Sequence, residues 1–539
     1  MVSSSQPLAS LIGRKILDQG GNAADAAVAV AAALAVTEPC STGIGGDAFC
    51  LFYDAKSKTV KALNASGRCP EALTIEKLRS LGFEGDSVPN TSAHSVTVPG
   101  AAAGWVDTVD LFGSKRLSLA QILEPATELA ERGFPVSELT AQFWKRGEQR
   151  IMNASPNGHE MLRHGKAAPA AGEIMKLPNM GKTFRALAEQ GKAGFYEGRI
   201  AESIVKTLGD LGSTMTLDDL KNHSSTPVEP ISIVYNDQLR VHECPPNGQG
   251  ITALIALGIL DSLQSKGKRA FLDAGVNSVS YLHTVIEALR LAFADSKFFV
   301  TDPEKVHVPV NELLSKEYLA KRAELIDPQN TKAVAHGSPA NSSDTVYFSV
   351  VDKEGNACSF INSNYEGFGS AIVPEGCGFV LQNRGSNFNL DPNHPNALAP
   401  LKRPYHTIIP AMVTRMDGSL HISYGVMGGF MQPQGHVQVL LNMHHFGMTP
   451  QEALDTPRIC IMPEEEGRSV VLVEEGIRPG VVEGLKALGH EIQVVTGLMR
   501  ANFGRGQIIV RREDEESAGG HVLVAGCDPR CDGIAVAQF

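Results

Sequence analysis

Residues 341–364, NSSDTVYFSVVDKEGNACSFINSN, constrain the fold more than any other stretch of the chain. Two β-rich runs flank Lys353-Glu354-Gly355, the form of a three-residue hairpin loop in which a type I turn is followed by a left-handed glycine. On that register Asp352 faces Asn356 and Thr345 lies opposite Ser363, with Cβ atoms about 4.5–5.5 Å apart and the hydroxyls within reach of each other. A two-residue loop would instead set Thr345 against Asn364. The hairpin begins abruptly at Thr345, behind the polar run Asn341-Ser342-Ser343-Asp344. That run ends a Pro-, Asn-, Ser-, Gly- and Ala-rich segment over 327–344, which reads as an exposed linker. Two readings follow. Thr345 and Ser363 are an ordinary cross-strand pair, or the bond between Asp344 and Thr345 is cut. In the second case the freed α-amine, with a pKa of about 7.7–8.0 in model peptides, is a base for its own hydroxyl.

Helix and strand patterns alternate in the first third. Gly20-Gly21-Asn22 leads into an Ala/Val helix over 23–36 that Asn22 is placed to cap. Strands are expected over 49–53 and 59–63 around an Asp54-Ala55-Lys56 turn. The texture turns helical from 117 to 225, with amphipathic stretches over 119–132 and 180–190, and an amphipathic helix is expected over 280–294. After the linker come strands over 346–351, 357–362, 378–382, 408–414 and 420–424, then a helix over 434–445 and further strand pairs. The charge run 511–517 reads as a solvated hairpin loop, and no repeat of 20–50 residues is present.

With 539 residues the chain has material for a very large core or for two to three ordinary domains. Its net charge of −11, from 59 acidic and 48 basic residues, argues against nucleic acid and anionic membranes as partners. No apolar run approaches the length of a membrane span. The opening MVSSSQPLAS has neither the basic start nor the apolar centre of a leader peptide. Nine irregularly spaced cysteines make no disulfide framework, and no metal-ligand cluster is expected. A cytoplasmic protein without cofactor or metal is expected.

A nucleophile also needs donors for the oxyanion. Gly428-Gly429, in SYGVMGGF, lets backbone N–H groups approach a substrate oxygen, although a paired glycine is also an ordinary tight turn. Gly43-Ile44-Gly45-Gly46 falls short of a dinucleotide fingerprint, since Ala stands at position 48 and a helix precedes it. His283 and His436 lie within helical patterns and read as packing or capping residues.

These segments together resemble the γ-glutamyltranspeptidase family of N-terminal-nucleophile hydrolases. SSQPLASLIGRKILDQGGNAADAAVAVAAALAVTEPCSTGIGGDAF, VPGAAAGWVD, ERGFPVS, EALRLAFADSKF, DTVYFSVVDKEGN, NALAPLKRP and GVMGGF occur in one order from end to end. The resemblance implies an α+β fold, a four-layer αββα sandwich, and self-cleavage between Asp344 and Thr345. The products would be a large chain of residues 1–344 and a small chain of residues 345–539, which stay associated in one domain. It also implies Thr345 as nucleophile, Ser363 as the hydroxyl that orients it, and Gly428 and Gly429 as the oxyanion donors. His406 and Thr407 take the place of a serine pair that helps hold a substrate carboxylate.

Three departures concern the substrate. The carboxylate-binding arginine of the family aligns with Ser66, with Arg68 two residues on. The acid that grips the glutamyl amine is replaced by Asn387, and the glutamine before it by Arg384. The asparagine beside that amine aligns with Tyr365, next to Asn364. The segments INSNYEGFGS, LQNRGSNF and KRPYHTIIPAM are similar to the branch with oxamate amidohydrolase and acylase-like members. The expected activity is hydrolysis of an amide of a small acidic acyl group, oxamate- or glutaryl-like, through an acyl-enzyme on Thr345. The alternatives are a glutathione hydrolase or γ-glutamyltransferase, and a non-catalytic binding protein on the same fold. The expected partner is a small-molecule amide, and the oligomeric state is left open.

Overall fold

The computed structural model describes residues 1–331, 344–463, 469–517 and 519–538. Most of the expected linker over 327–344 lies outside the described residues. Two large sheets form the centre. One has seven strands in the order Ile534–Val536, Val2–Ser4, Asp344–Val351, Ala357–Tyr365, Asp47–Asp54, Thr59–Ala65, Thr226–Val228. The other has six, ordered His521–Cys527, Arg505–Glu513, Leu420–Met427, Ala411–Arg415, Leu239–Glu243, Ile231–Tyr235.

Strand alternation sorts the side chains into separate cores. Along Asp344–Val351, Val346, Phe348 and Val350 join the core under the helices Ala23–Thr37 and Ala101–Phe112. Tyr347 and Val351 point the other way, into a core shared with Ile361, Met412 and Met427 between the two sheets. Val413, Ile422 and Tyr424 of the second sheet pack beneath the helices Gly250–Ser265, Val279–Phe299 and Met431–Phe446. Helix, sheet, sheet and helix therefore stack as the expected αββα sandwich. The sheets approach closely over the hairpin. Ser349 Oγ donates to Ser423 Oγ at 2.6 Å, and a Cβ on Gly425 would stand 2.6 Å from the Tyr347 ring.

Local expectations hold where the signal is local. Asn22 caps the Ala/Val helix, accepting from the N–H groups of Ala24 and Asp25 while Asp25 accepts from that of Asn22. Gly355 has φ of +85° in the three-residue loop, and the register runs as expected from Ala357↔Val351 to Asn362↔Val346. A bulge then shifts it by one, to Tyr365↔Asp344. Three expectations fail. Residues 378–382 form no strand, because their N–H groups go to loops: Leu381 to Ile372 O and Gln382 to Gly45 O. The strand expected from 408 begins at Ala411, since Pro410 has no N–H for a ladder. The helix Val279–Phe299 is buried on nearly every side rather than amphipathic, packed against Gly250–Ser265 and, through Gly484, against Pro479–Ala487.

The hairpin over 344–365 is tied to the helical layer by Trp105, whose Nε1 donates to Asn362 Oδ1 at 2.9 Å, while Asn362 Nδ2 donates to Gly43 O at 3.0 Å. Trp105→Phe leaves a buried amide oxygen without its donor and should lower stability by about 1–3 kcal/mol. Urea unfolding of both proteins measures it, and an unchanged midpoint would refute this anchoring.

Candidate active site

Thr345 is fully buried at the start of its strand, and its Oγ1 lies 3.1 Å from Ser363 Oγ. The two hydroxyls meet despite the bulge, which turns Tyr365 to φ +80° and lets its N–H donate to Ser363 Oγ at 2.8 Å. On its other side Ser363 pairs with Asp47 across the ladder.

A buried cation lies over this pair. Arg384 Nη2 donates to Ser363 Oγ at 3.3 Å and Nη1 to Thr407 Oγ1 at 2.6 Å. Its guanidinium carbon sits 4.3 Å from the centre of the Tyr365 ring. Nε has no acceptor, and no carboxylate among the described residues pairs with Arg384. Burial draws its pKa down to about 10. Tyr365 in turn donates through its hydroxyl to Asn387 Oδ1 at 2.6 Å, leaving Asn387 Nδ2 without a partner.

The glycine pair joins the cluster through Gln249, whose Nε2 donates to Thr407 O at 2.6 Å and to Gly429 O at 2.8 Å. Gly428 and Gly429 have φ of +129° and +58°, and their carbonyls accept from Met431 and Gln432 at the start of Met431–Phe446. Their own N–H groups have no acceptor among the described residues. They are therefore open to an anionic oxygen at a helix N-terminus.

The expected residues do not all assemble. Thr345, Ser363, Tyr365, Arg384, Asn387, Thr407 and Gly429 form one chain of contacts, with Gly428 adjacent. Asn364 is buried beside the Gly43–Gly46 turn, donating to Pro39 O, with its Oδ1 unpartnered. His406 makes no hydrogen bond to Arg384 among the described residues and places Nε2 3.0 Å from Asp47 Oδ2. Arg68 is not brought to the cluster: its guanidinium pairs with Glu304 at 3.0 Å and donates to Ser224 O. An arginine near the surface is held by the nearest acid, and Glu304 is 236 residues away in sequence.

Asp47 and Gln249 are absent from the sequence reading. A signal for Asp47 was present, since Gly45 and Gly46 directly precede it. A Cβ on Gly46 would collide with Ser363 O, so the glycines are required for the turn to pass under the active hairpin. Elsewhere, His283, Glu287 and His490 come together within 4.8 Å, a set of metal-ligand type that sequence spacing did not reveal. In this structure His283 is held by His490 and Asp327 O, and Glu287 by Arg290 and Thr331.

Facing sheets between helical layers, with a hydroxyl at a strand start, define an N-terminal-nucleophile hydrolase architecture. The family model described as gamma-glutamyltranspeptidase matches residues 9–538, and the chain belongs to the γ-glutamyltranspeptidase family. It is 39% identical to the glutathione hydrolase-like YwrD proenzyme of Bacillus subtilis, over 99% of this chain and 98% of that protein. It is 33% identical to the oxamate amidohydrolase proenzyme of Klebsiella pneumoniae, with the same coverage. The cephalosporin acylase of Bacillus halodurans superposes with a TM-score of 0.89 at 41% identity, over 99% of this chain and 94% of that one. The protein is an amidohydrolase of this family. No helix among the described residues is long and apolar enough to cross a membrane.

The Asp47–His406 pair makes a pH signature. Asp47 Oδ1 accepts from the N–H groups of Gly67 and Gly100 at 2.9 and 3.1 Å. Burial nonetheless pushes its carboxyl up to about 7, against the opposing pull of Arg384 and those N–H groups. Burial, with Arg384 and Arg403, holds His406 well below its usual range. Between about pH 4 and 6.5 the folded state keeps a proton on Asp47 that the unfolded state has released. The unfolded state keeps one on His406 that the folded state lacks, so the two contributions offset. Asp47→Asn removes one side. The variant should lose stability relative to wild type as pH falls below about 7, the folded-state value of Asp47, by up to about 1.4 kcal/mol per pH unit. Urea midpoints at pH 8, 7, 6 and 5 measure this, and a pH-independent difference would exclude the proton that the folded state keeps on Asp47.

Proposed function

We propose that the protein is a self-processing threonine amidohydrolase that removes a small acidic acyl group, lacking an α-amino group, from its amide. Arg384 carries the reading. A fully buried guanidinium without a carboxylate partner is costly, and a substrate carboxylate relieves that cost through a forked, charge-assisted pair.

In maturation Thr345 Oγ1 adds to the Asp344 carbonyl carbon and the peptide C–N bond breaks, passing the acyl group to oxygen and a proton to nitrogen. Water then hydrolyses the ester, leaving the Asp344 carboxylate and a free Thr345 amine. In turnover that amine takes the Oγ1 proton as oxygen attacks the substrate carbonyl. Ser363 holds the hydroxyl in position, and the N–H groups of Gly428 and Gly429 receive the oxyanion. The same amine returns its proton to the departing nitrogen, and water releases the acid from Thr345. Thr407, bonded to Arg384, and His406, fixed on Asp47, wall the carboxylate end.

A γ-glutamyl group adds an ammonium that needs a counter-charge. Asn387 offers none, and the Tyr365 ring beside it already carries the Arg384 cation. The loss of one charge-assisted hydrogen bond is worth roughly 1.5–3 kcal/mol, a tenfold to hundredfold handicap. The name of the Bacillus subtilis relative keeps glutathione as the second candidate substrate.

Two outcomes are expected. Wild-type protein should separate on a denaturing gel into residues 1–344 and 345–539, with Thr345 found as a new N-terminus by Edman degradation, whereas Thr345→Ala stays one chain. Cleavage of Thr345→Ala at the same bond would end the nucleophile assignment. In steady-state assays glutaryl or oxamate-type amides should exceed their γ-glutamyl counterparts in kcat/KM. Asn387→Asp should move the preference back toward glutamyl, and Arg384→Met should lose about tenfold or more on the acidic acyl amides. Faster hydrolysis of glutathione than of every amine-free acid amide would replace this reading with glutathione hydrolase.

A further inference from the structure

A cavity of about 300 Å³ borders the cluster at Asn387 and Phe430, and neither the acyl carboxylate nor the nucleophile accounts for it. Phe430, on the cavity wall, directly follows the Gly428-Gly429 pair in the chain, so the proposed oxyanion donors are one and two residues from the cavity lining. Its body is aromatic: Phe430 stacks on Tyr405 with ring centres 6.0 Å apart, and Phe293 meets Phe430 edge-on at 6.4 Å. Tyr405 is fixed by its hydroxyl, which donates to Gln249 Oε1 at 3.0 Å, the residue that also holds Gly429. Three donors line the same space. Asn387 Nδ2 and Ser386 Oγ are more than nine-tenths buried and have no partner among the described residues. Lys297, half-buried in the last turn of Val279–Phe299, pairs with no carboxylate among the described residues, and burial lowers its pKa. The acid on the lining, Asp86, stands on the exposed rim.

We propose that this cavity seats the amine half of the substrate, and that it takes a ring bearing a carboxylate. The inference rests on the amidohydrolase reading above and extends it to the leaving group. With the acyl carboxylate on Arg384 and the carbonyl between Thr345 and the glycine pair, the amine must leave the carbonyl on another side. The cavity beginning at Phe430 offers that space. Its volume is at the lower end for small-molecule sites, enough for one ring and not for an extended peptide. Aromatic walls bury the ring, while Lys297, with the orphan Ser386 hydroxyl, satisfies an anion that an uncharged amine would leave unmatched.

The test compares processed wild-type enzyme with Lys297→Met and Lys297→Arg on two substrates, the glutaryl amides of 4-aminobenzoate and of aniline. The ratio of their kcat/KM values removes effects common to both. Lys297→Met should reduce that ratio about tenfold or more, chiefly through KM, and Lys297→Arg should restore most of it. A ratio that Lys297→Met leaves unchanged overturns the proposal. Calorimetry with free 4-aminobenzoate separates this inference from the one beneath it. If neither amide is hydrolysed, the acidic-acyl assignment fails. Tenfold weaker binding of 4-aminobenzoate to Lys297→Met than to wild type would still support the subsite, and equal binding or none to either protein would overturn it.

Discussion

One buried positive charge organises the site. Arg384 is as inaccessible as the hydrophobic residues around it, yet it keeps a guanidinium beside two hydroxyls and an aromatic face. Each neighbour is what a buried cation tolerates: hydroxyl oxygens of Ser363 and Thr407 that accept, and the ring of Tyr365 that offers its negative face. The nearby acid, Asp47, is paired with His406 rather than with Arg384 and is pushed up to about 7, so it offsets that charge only in part. The site thus remains electropositive next to the Thr345 hydroxyl. On the function proposed above, a positive field there would favour an anion near the reacting carbonyl and disfavour the ammonium of a glutamyl group.

The scaffold was legible in the sequence wherever the determinant lay within about ten residues. The Lys353-Glu354-Gly355 loop fixed the hairpin register as far as Val346, and Asn22 marked the start of a helix whose Ala/Val composition suits burial. Resemblance then supplied the sandwich and the order of its layers. What could not be read is the pairing of residues far apart. Whether an arginine faces a substrate or an acid depends on what the fold brings beside it: Arg68 meets Glu304, whereas Arg384 meets no carboxylate among the described residues. Both look alike in a string of letters. The same limit hid Asp47, Gln249 and the His283–Glu287–His490 cluster, each assembled from segments remote in sequence.

Burial was also harder to read than secondary structure. The helix Val279–Phe299 shows apolar residues at helical spacing, and its polar residues suggested a wet face. Those polar groups instead find partners inside: His283 on His490, Glu287 on Arg290 and Thr331, and Asp295 on Arg322. A helix covered by a neighbouring helix and by the C-terminal segment keeps its polar residues only where the fold supplies counterparts. Residues 378–382 make the complementary point. Their apolar character is real and they are buried, but their hydrogen bonds run to irregular loops because Gly378, at φ +71°, sits tight against Asn179 and Met180.

The sheet order carries a consequence for a chain cut between Asp344 and Thr345. In the seven-stranded sheet, Val2–Ser4 lies between Ile534–Val536 and Asp344–Val351, and Ala357–Tyr365 pairs with Asp47–Asp54 through seven successive residues. In the six-stranded sheet, Ala411–Arg415 pairs with Leu239–Glu243 over five. Segments from before and after the cut thus pair with each other within each sheet, and each sheet has core on both faces. Dissociation would expose strand edges and the core between the sheets together, while the cut itself removes a single covalent bond. The architecture therefore permits a new N-terminus at the centre of the protein without a loss of packing. On the function proposed above, that terminus would stand at a strand start, with Ser363 alongside, where an amine and a hydroxyl on one residue would act on the same substrate.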